Sequence, residues 1–154
     1  MPKKTKKKRA KRKQISGRNV EKNIFNNIIS HKKKWWVFRF NENRRNPTPA
    51  DLMIVTRKYI CMIEVKATGI DYIQKANVRP KQRERLISFK KANKKSLAIV
   101  CLYFSKKKKY VLVDIEEFIK KAKSKVEYKQ AVEMGVDIKQ WKSIGVYFGR
   151  IYKK

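Results

Sequence analysis

The sequence predicts an α/β or α+β protein, with a central mixed β-sheet flanked by helices, and three observations carry that reading. Stretches with the helical period alternate with short apolar, β-branched runs, an order that lays helices against a sheet. The chain has 154 residues, enough for one core with little room for a second. Its hydrophobic content of 42% is that of a globular domain, which excludes a wholly disordered basic protein although 36% of residues are charged.

The first segment stands apart. Residues 1–13 hold Lys3, Lys4, Lys6, Lys7, Lys8, Arg9, Lys11, Arg12 and Lys13 and no acid. Such a stretch has nothing to bury, so residues 1–14 are expected to be a disordered basic arm ahead of a single domain over 15–154. A solubilising or nuclear-address tail is the bland reading; an arm that grips DNA fits the basic body behind it.

Ser16 suits the N-cap of a helix running to about Ser30. Its apolar residues Val20, Ile24, Phe25, Ile28 and Ile29 fall within one half of the wheel at about 100° per residue. Glu21 lands among them, between Ile28 and Phe25. A carboxylate on that face is costly unless its charge finds a partner.

Trp35 to Phe40 reads as a strand and Asn41 to Pro49 as a polar loop. Leu52 to Val55 and Tyr59 to Val65 are apolar, β-rich runs separated by Arg57 and Lys58, the pattern of a hairpin. Lys66 to Val78 has no period and is expected to be irregular. Pro80 suits the first turn of a helix through about Asn93 that carries Leu86, Ile87 and Phe89. Leu97 to Phe104 and Tyr110 to Ile115 are two more strands, joined across Lys106 to Lys109. A helix is expected from about Glu116 to Lys125 and a further one from Glu127 to Met134. Trp141 to Tyr152 is aromatic-rich, and its pattern assigns no element. The expected core is therefore 16–115, with a helical and aromatic extension over 116–154.

Charge narrows the function classes. Lys and Arg number 43 against 12 Asp and Glu, a net +31 that repels itself in a compact fold unless a polyanion screens it. Nucleic acid is the expected polyanion, and the counterions it releases supply much of the affinity. An anionic membrane surface is the rival. No apolar run approaches the ~20 residues of a membrane span, and no apolar segment follows the basic N-terminus as a secretory signal requires. Cys61 and Cys101 lie inside apolar runs without zinc spacing, as buried thiols of a reducing cytosol do. His31, beside Lys32 to Lys34, reads as a solvated helix-end residue. Of Trp35 and Trp36, one is expected in the core and the other free to stack or to serve an interface.

The chemistry gathers at the hairpin. A turn at Arg57 and Lys58 puts Thr56 opposite Tyr59 and, five steps back, Asp51 opposite Glu64. Opposed residues have Cβ atoms only ~5 Å apart, where like charges repel. Glu64 also ends the apolar run Ile60 to Ile63, a poor place for a surface acid. Lys66 lies two residues on and shares the Glu64 face. Taken alone, Glu-x-Lys at a strand end is more often a solvated pair. Two facing carboxylates with an ammonium beside them make sense around a hard divalent cation, Mg2+ or Mn2+, that activates water and stabilises charge on a phosphate.

The run Pro49-Ala50-Asp51, followed thirteen residues after the Asp by Glu64-Val65-Lys66, resembles the signature of the PD-(D/E)xK nuclease superfamily. The surroundings resemble most the archaeal-type Holliday junction resolvases and their viral and bacterial relatives: Gly17-Arg18-Asn19-Val20-Glu21 on the first helix, Pro80-Lys81-Gln82 opening the second, and Ser96 to Val100 entering the next strand. The likeness covers about residues 16–115. The chain departs from the pattern in the Ala between Pro49 and Asp51, and in the Arg- and Pro-containing loop before them. The resemblance implies a restriction-endonuclease-like fold and a Mg2+-dependent endodeoxyribonuclease acting on four-way junctions as a homodimer, in a prokaryotic or viral, cytoplasmic setting. It implies Glu21, Asp51, Glu64, Lys66 and Gln82 as the catalytic set, with Glu21, Asp51, Glu64 and the Val65 carbonyl as oxygen ligands. Arg39, Arg44, Arg45 and the arm would hold phosphate backbones, on junctions and duplex alike, without reading bases.

Overall fold

The computed structural model describes residues 17–40 and 48–153. The expected N-cap Ser16, the arm, Arg44 and Arg45 lie outside them.

Helix α1 (Gly17–His31) buries Val20, Ile24 and Ile28 at helical spacing and leaves Ile29 exposed. Strands β1 (Trp36–Arg39), β2 (Leu52–Val55) and β3 (Ile60–Thr68) follow. A short strand β4 (Tyr72–Gln74) and a 3-10 turn (Lys75–Asn77) lead to α2 (Pro80–Ala92). Then come β5 (Ser96–Phe104), β6 (Lys109–Asp114), α3 (Ile115–Lys121), β7 (Lys125–Glu127), α4 (Tyr128–Met134) and β8 (Val136–Ile138). A 3-10 turn (Trp141–Ser143) and α5 (Ile144–Tyr152) complete the order.

Among the described residues, six strands form one sheet in the order β1-β2-β3-β5-β6-β8, and β4 pairs with β7 in a separate ribbon. Only β3 and β5 run parallel, with α2 as their crossover; the other pairs are antiparallel, so the sheet is mixed. Strand β5 is the centre. Its residues Leu97, Ile99 and Cys101 face a core shared with α1, α5 and β8, while Ala98, Val100 and Leu102 face a second core under α2, α3 and α4. Burial on both faces is why its sequence is an unbroken apolar run.

The hairpin register is the expected one: Leu52 pairs with Ile63, Ile54 with Cys61 and Val55 with Ile60. Thr56 fixes it, its Oγ1 accepting from Lys58 N at 3.1 Å and Tyr59 N at 2.9 Å. Cys61 and Cys101 are free and buried, as expected, and the β3–β5 register sets them four residues apart.

Several elements differ from expectation. The stretch expected to be irregular continues β3 to Thr68 and contains β4 and a turn held by Arg83, whose Nε donates to the Val78 carbonyl at 2.7 Å and Nη2 to that of Lys75 at 3.1 Å. The helix expected through Lys125 stops at Lys121, because Lys125 enters the ribbon with Gln74. Its start is set by Asp114, which caps the N–H groups of Glu116 and Glu117. Residues 136–138 add the last strand, and Gly135 lets that strand close on β6, since a Cβ there would collide with the Leu112 carbonyl. The unassigned aromatic stretch holds α5, with Ile144, Tyr147, Phe148 and Ile151 on its buried face.

Candidate active site

At the end of the hairpin away from its turn, strand regularity breaks. Leu52 and Ile54 point into the α1 core, whereas Ala50 belongs to the α2 core, so the chain bends between them. At the bend Asp51 donates its N–H to the Ile63 carbonyl at 3.1 Å, and its Oδ2 accepts from Val65 N at 2.6 Å. The side chain thereby takes the ladder position that β2 vacates beside β3.

Glu64 sits on the opposite face from Val65 and is 3% exposed. Burying this carboxylate is tolerable because its Oε1 accepts from Lys66 Nζ at 2.8 Å and from Gln82 Nε2 at 2.8 Å. Gln82 is fixed in turn by its other end, its Oε1 accepting from Arg79 N at 3.0 Å at the start of α2. One amide thus caps a helix and clamps an acid, and the two bonds together set which end is oxygen.

Glu21 approaches from α1. It pairs with Arg39 Nη2 at 3.5 Å, and Arg39 also donates to the Arg18 carbonyl at 2.9 Å. The guanidinium of Arg39, a residue the sequence assigns to phosphate backbone, is engaged with Glu21, with its Nε buried and without a hydrogen-bond partner among the described residues. Glu21, Asp51, Glu64, Val65, Lys66 and Gln82 line a single pocket of about 360 Å³. Sequence reasoning missed its remaining wall, Ala76, Asn77 and Arg79. The available signal was Arg79 directly before a helix-starting Pro80.

The electrostatics are those of acids short of counter-charge. Burial, and then the neighbouring Glu21 carboxylate, push Asp51 up to about 6, against the lowering pull of the Val65 N–H. Burial also raises Glu21, against the opposing Arg39 charge. All the donors are oxygens, the set a hard dication takes, and such an ion would relieve the Asp51–Glu21 repulsion. Among the described residues, no three acidic, His or Cys side chains stand gathered as a finished metal cage.

Elsewhere, His31 is exposed at the end of α1, its Nδ1 2.8 Å from the Asn27 carbonyl. Trp35 is half-buried and stacks on Phe148 with centroids 5.7 Å apart, while Trp36 is 53% exposed. No described helix is long and apolar enough to cross a membrane.

No protein-family model matches the chain, and no curated protein matches it. Among solved structures it is similar to Hjc of Archaeoglobus fulgidus, a Holliday junction resolvase from an archaeal hyperthermophile. The likeness has a TM-score of 0.58 at 16% identity and covers 84% of this chain and 98% of that one. The chain has the fold of that nuclease.

Proposed function

We propose that the protein is a metal-dependent endonuclease that cleaves four-way DNA junctions by hydrolysing phosphodiesters. The observation that carries the reading is the convergence of Asp51, Glu64, Lys66 and Gln82, with Glu21 beside them, in one pocket of a resolvase-like fold.

Asp51 and Glu64 would hold the ion, with Glu21 completing or orienting the set. The Val65 carbonyl is available as well: in extended backbone it points to the same edge as the Val65 N–H, where β2 has ended. A bound Mg2+ supplies a polarised water and a positive charge opposite the developing phosphate charge. The chain's own residues do the rest. Lys66, held by Glu64, presents an ammonium to the phosphate or the attacking water. Gln82 fixes Glu64 so that it need not reorganise during reaction. Basic surface holds backbone without reading bases. Paired incisions across a junction need two pockets, hence a homodimer.

The test is nicking of a synthetic four-way junction with and without Mg2+, with linear duplex as control. Mg2+-dependent cleavage of the junction alone is expected. Equal cleavage of both substrates would assign a nuclease of another kind on this fold, and binding without cleavage a noncatalytic nucleic-acid-binding protein.

A further inference from the structure

A second groove lies at the other end of the same hairpin. Its volume is about 850 Å³, and its walls are the segment after α1, the β2–β3 turn and α5. Six cations line it: Lys32, Lys34, Arg57, Lys58, Arg150 and Lys153. Among the described residues, no acidic side chain lines it and none of the six makes an ion pair. Six uncompensated charges around one concavity repel one another unless a polyanion enters it.

The groove is also held in shape. Trp35 forms part of the wall, with Phe148 stacked against it and Lys32 Nζ 5.3 Å from its ring centroid. Its packing depends on Gly145, where a Cβ would come within 3.2 Å of the indole. Tyr59 is braced by Tyr152 at 5.3 Å. These rings are engaged within the protein, so the groove offers charge rather than a free stacking platform for bases.

Its distance from the carboxylates follows from two elements. Asp51 and Thr56 flank β2 and lie five steps apart along it, about 16 Å at the strand rise. Eleven residues separate Glu21 from Lys32, about 16 Å at the helix rise. That is about five steps along a nucleic-acid strand at ~3.4 Å each.

We infer that this groove is a second phosphate-backbone site, taking duplex DNA about five base pairs from the phosphate held at the carboxylates. The identity of the polyanion rests on the nuclease reading. The test is therefore made without metal, where cleavage plays no part.

Lys58→Gln with Lys153→Gln removes one exposed charge from the β2–β3 turn and one from the end of α5, and Lys123→Gln with Lys129→Gln removes the same charge from the α3–α4 side. Fluorescence anisotropy with a labelled 30-base-pair duplex, in EDTA across a NaCl series, reads both pairs against wild type. The groove pair is expected to weaken binding and to lower the slope of log K against log salt by about 1.8, at ~0.9 for each phosphate no longer neutralised. The wild-type advantage then shrinks roughly tenfold between about 50 and 200 mM salt. The control pair is expected to leave the slope within error. An unchanged slope in the groove pair, or an equal fall in both pairs, overturns the inference. So does a groove pair that loses only binding to phosphatidylserine vesicles, which would assign the groove to a membrane surface. Failure of wild type to cut a junction in Mg2+ sinks the nuclease reading and leaves these slopes standing as measured.

Discussion

The Asp51 carboxyl is pulled in opposite directions, burial and Glu21 favouring its proton and the Val65 N–H favouring the anion. Unfolded, it titrates near 3.8, and folded near 6, so the folded state binds the proton more tightly. Its stabilising contribution is complete below the lower value and is lost as pH rises through the upper one. In EDTA, Asp51→Asn is therefore expected to raise the melting temperature at pH 8 by a few degrees, the effect of about 1 kcal/mol in a domain of this size. The gain should shrink at pH 4.5, and an equal gain at both pH values would show that the proton is not held there. With Mg2+ present, the same variant loses activity in exchange for that stability. Asp51→Asn, Glu64→Gln and Lys66→Ala are each expected to lower junction cleavage by at least about 10²-fold, the scale of losing one preorganised charge, with junction binding kept. Full activity in any one of them, or loss of folding in all three, removes that residue set from the chemistry.

Strand β1 closes one edge of the sheet, and its outward face is apolar. Trp36 and Phe38 are 53% and 44% exposed, with their rings stacked 5.7 Å apart, and Phe40 packs edge-on against Phe38. An aromatic face on an open strand edge is what a second copy would cover. Trp36→Ser with Phe38→Ser is expected to convert the proposed dimer to a monomer in sedimentation and, if paired incisions occur in wild type, to replace them by single nicks. A wild-type monomer, or an unaltered variant dimer, excludes this face as the interface. Which elements could be read in advance follows from their length and local chemistry. The hairpin and its register were legible because a polar Arg57–Lys58 step divides two apolar runs, and that register led to Asp51 and Glu64. Glu21 and Gln82 stood out because a polar group on an apolar helix face asks for a partner. Strands β4, β7 and β8 have three residues each, too few for a period to show. Helix α5 was hidden by its nine residues, two glycines and aromatic face. Arg79 and Asn77 could not be placed, because the turn that aims them is held by Arg83 reaching back to carbonyls of Lys75 and Val78.

Over the whole molecule, a net charge of +31 makes salt a variable of every binding measurement. The basic segment 1–13, outside the described residues, adds nine positive charges. Deleting it is expected to weaken junction and duplex binding alike and to lower the salt slope by ~0.9 for each phosphate the segment neutralises. Cleavage at saturating protein should persist. An unchanged slope would mean that the segment does not touch DNA, and selective loss of junction binding that it reads branching. The β2–β3 turn has a consequence of another kind. Thr56 and Tyr59 set the pairing that carries Asp51 to Glu64, and a strand slipped by one position turns every later side chain to the other face. One codon inserted between Arg57 and Lys58, about 20 Å along the strands from the nearest proposed ligand, would therefore separate the two acids while changing neither of them. In a genetic screen it would score as a null allele in a turn with no chemistry of its own.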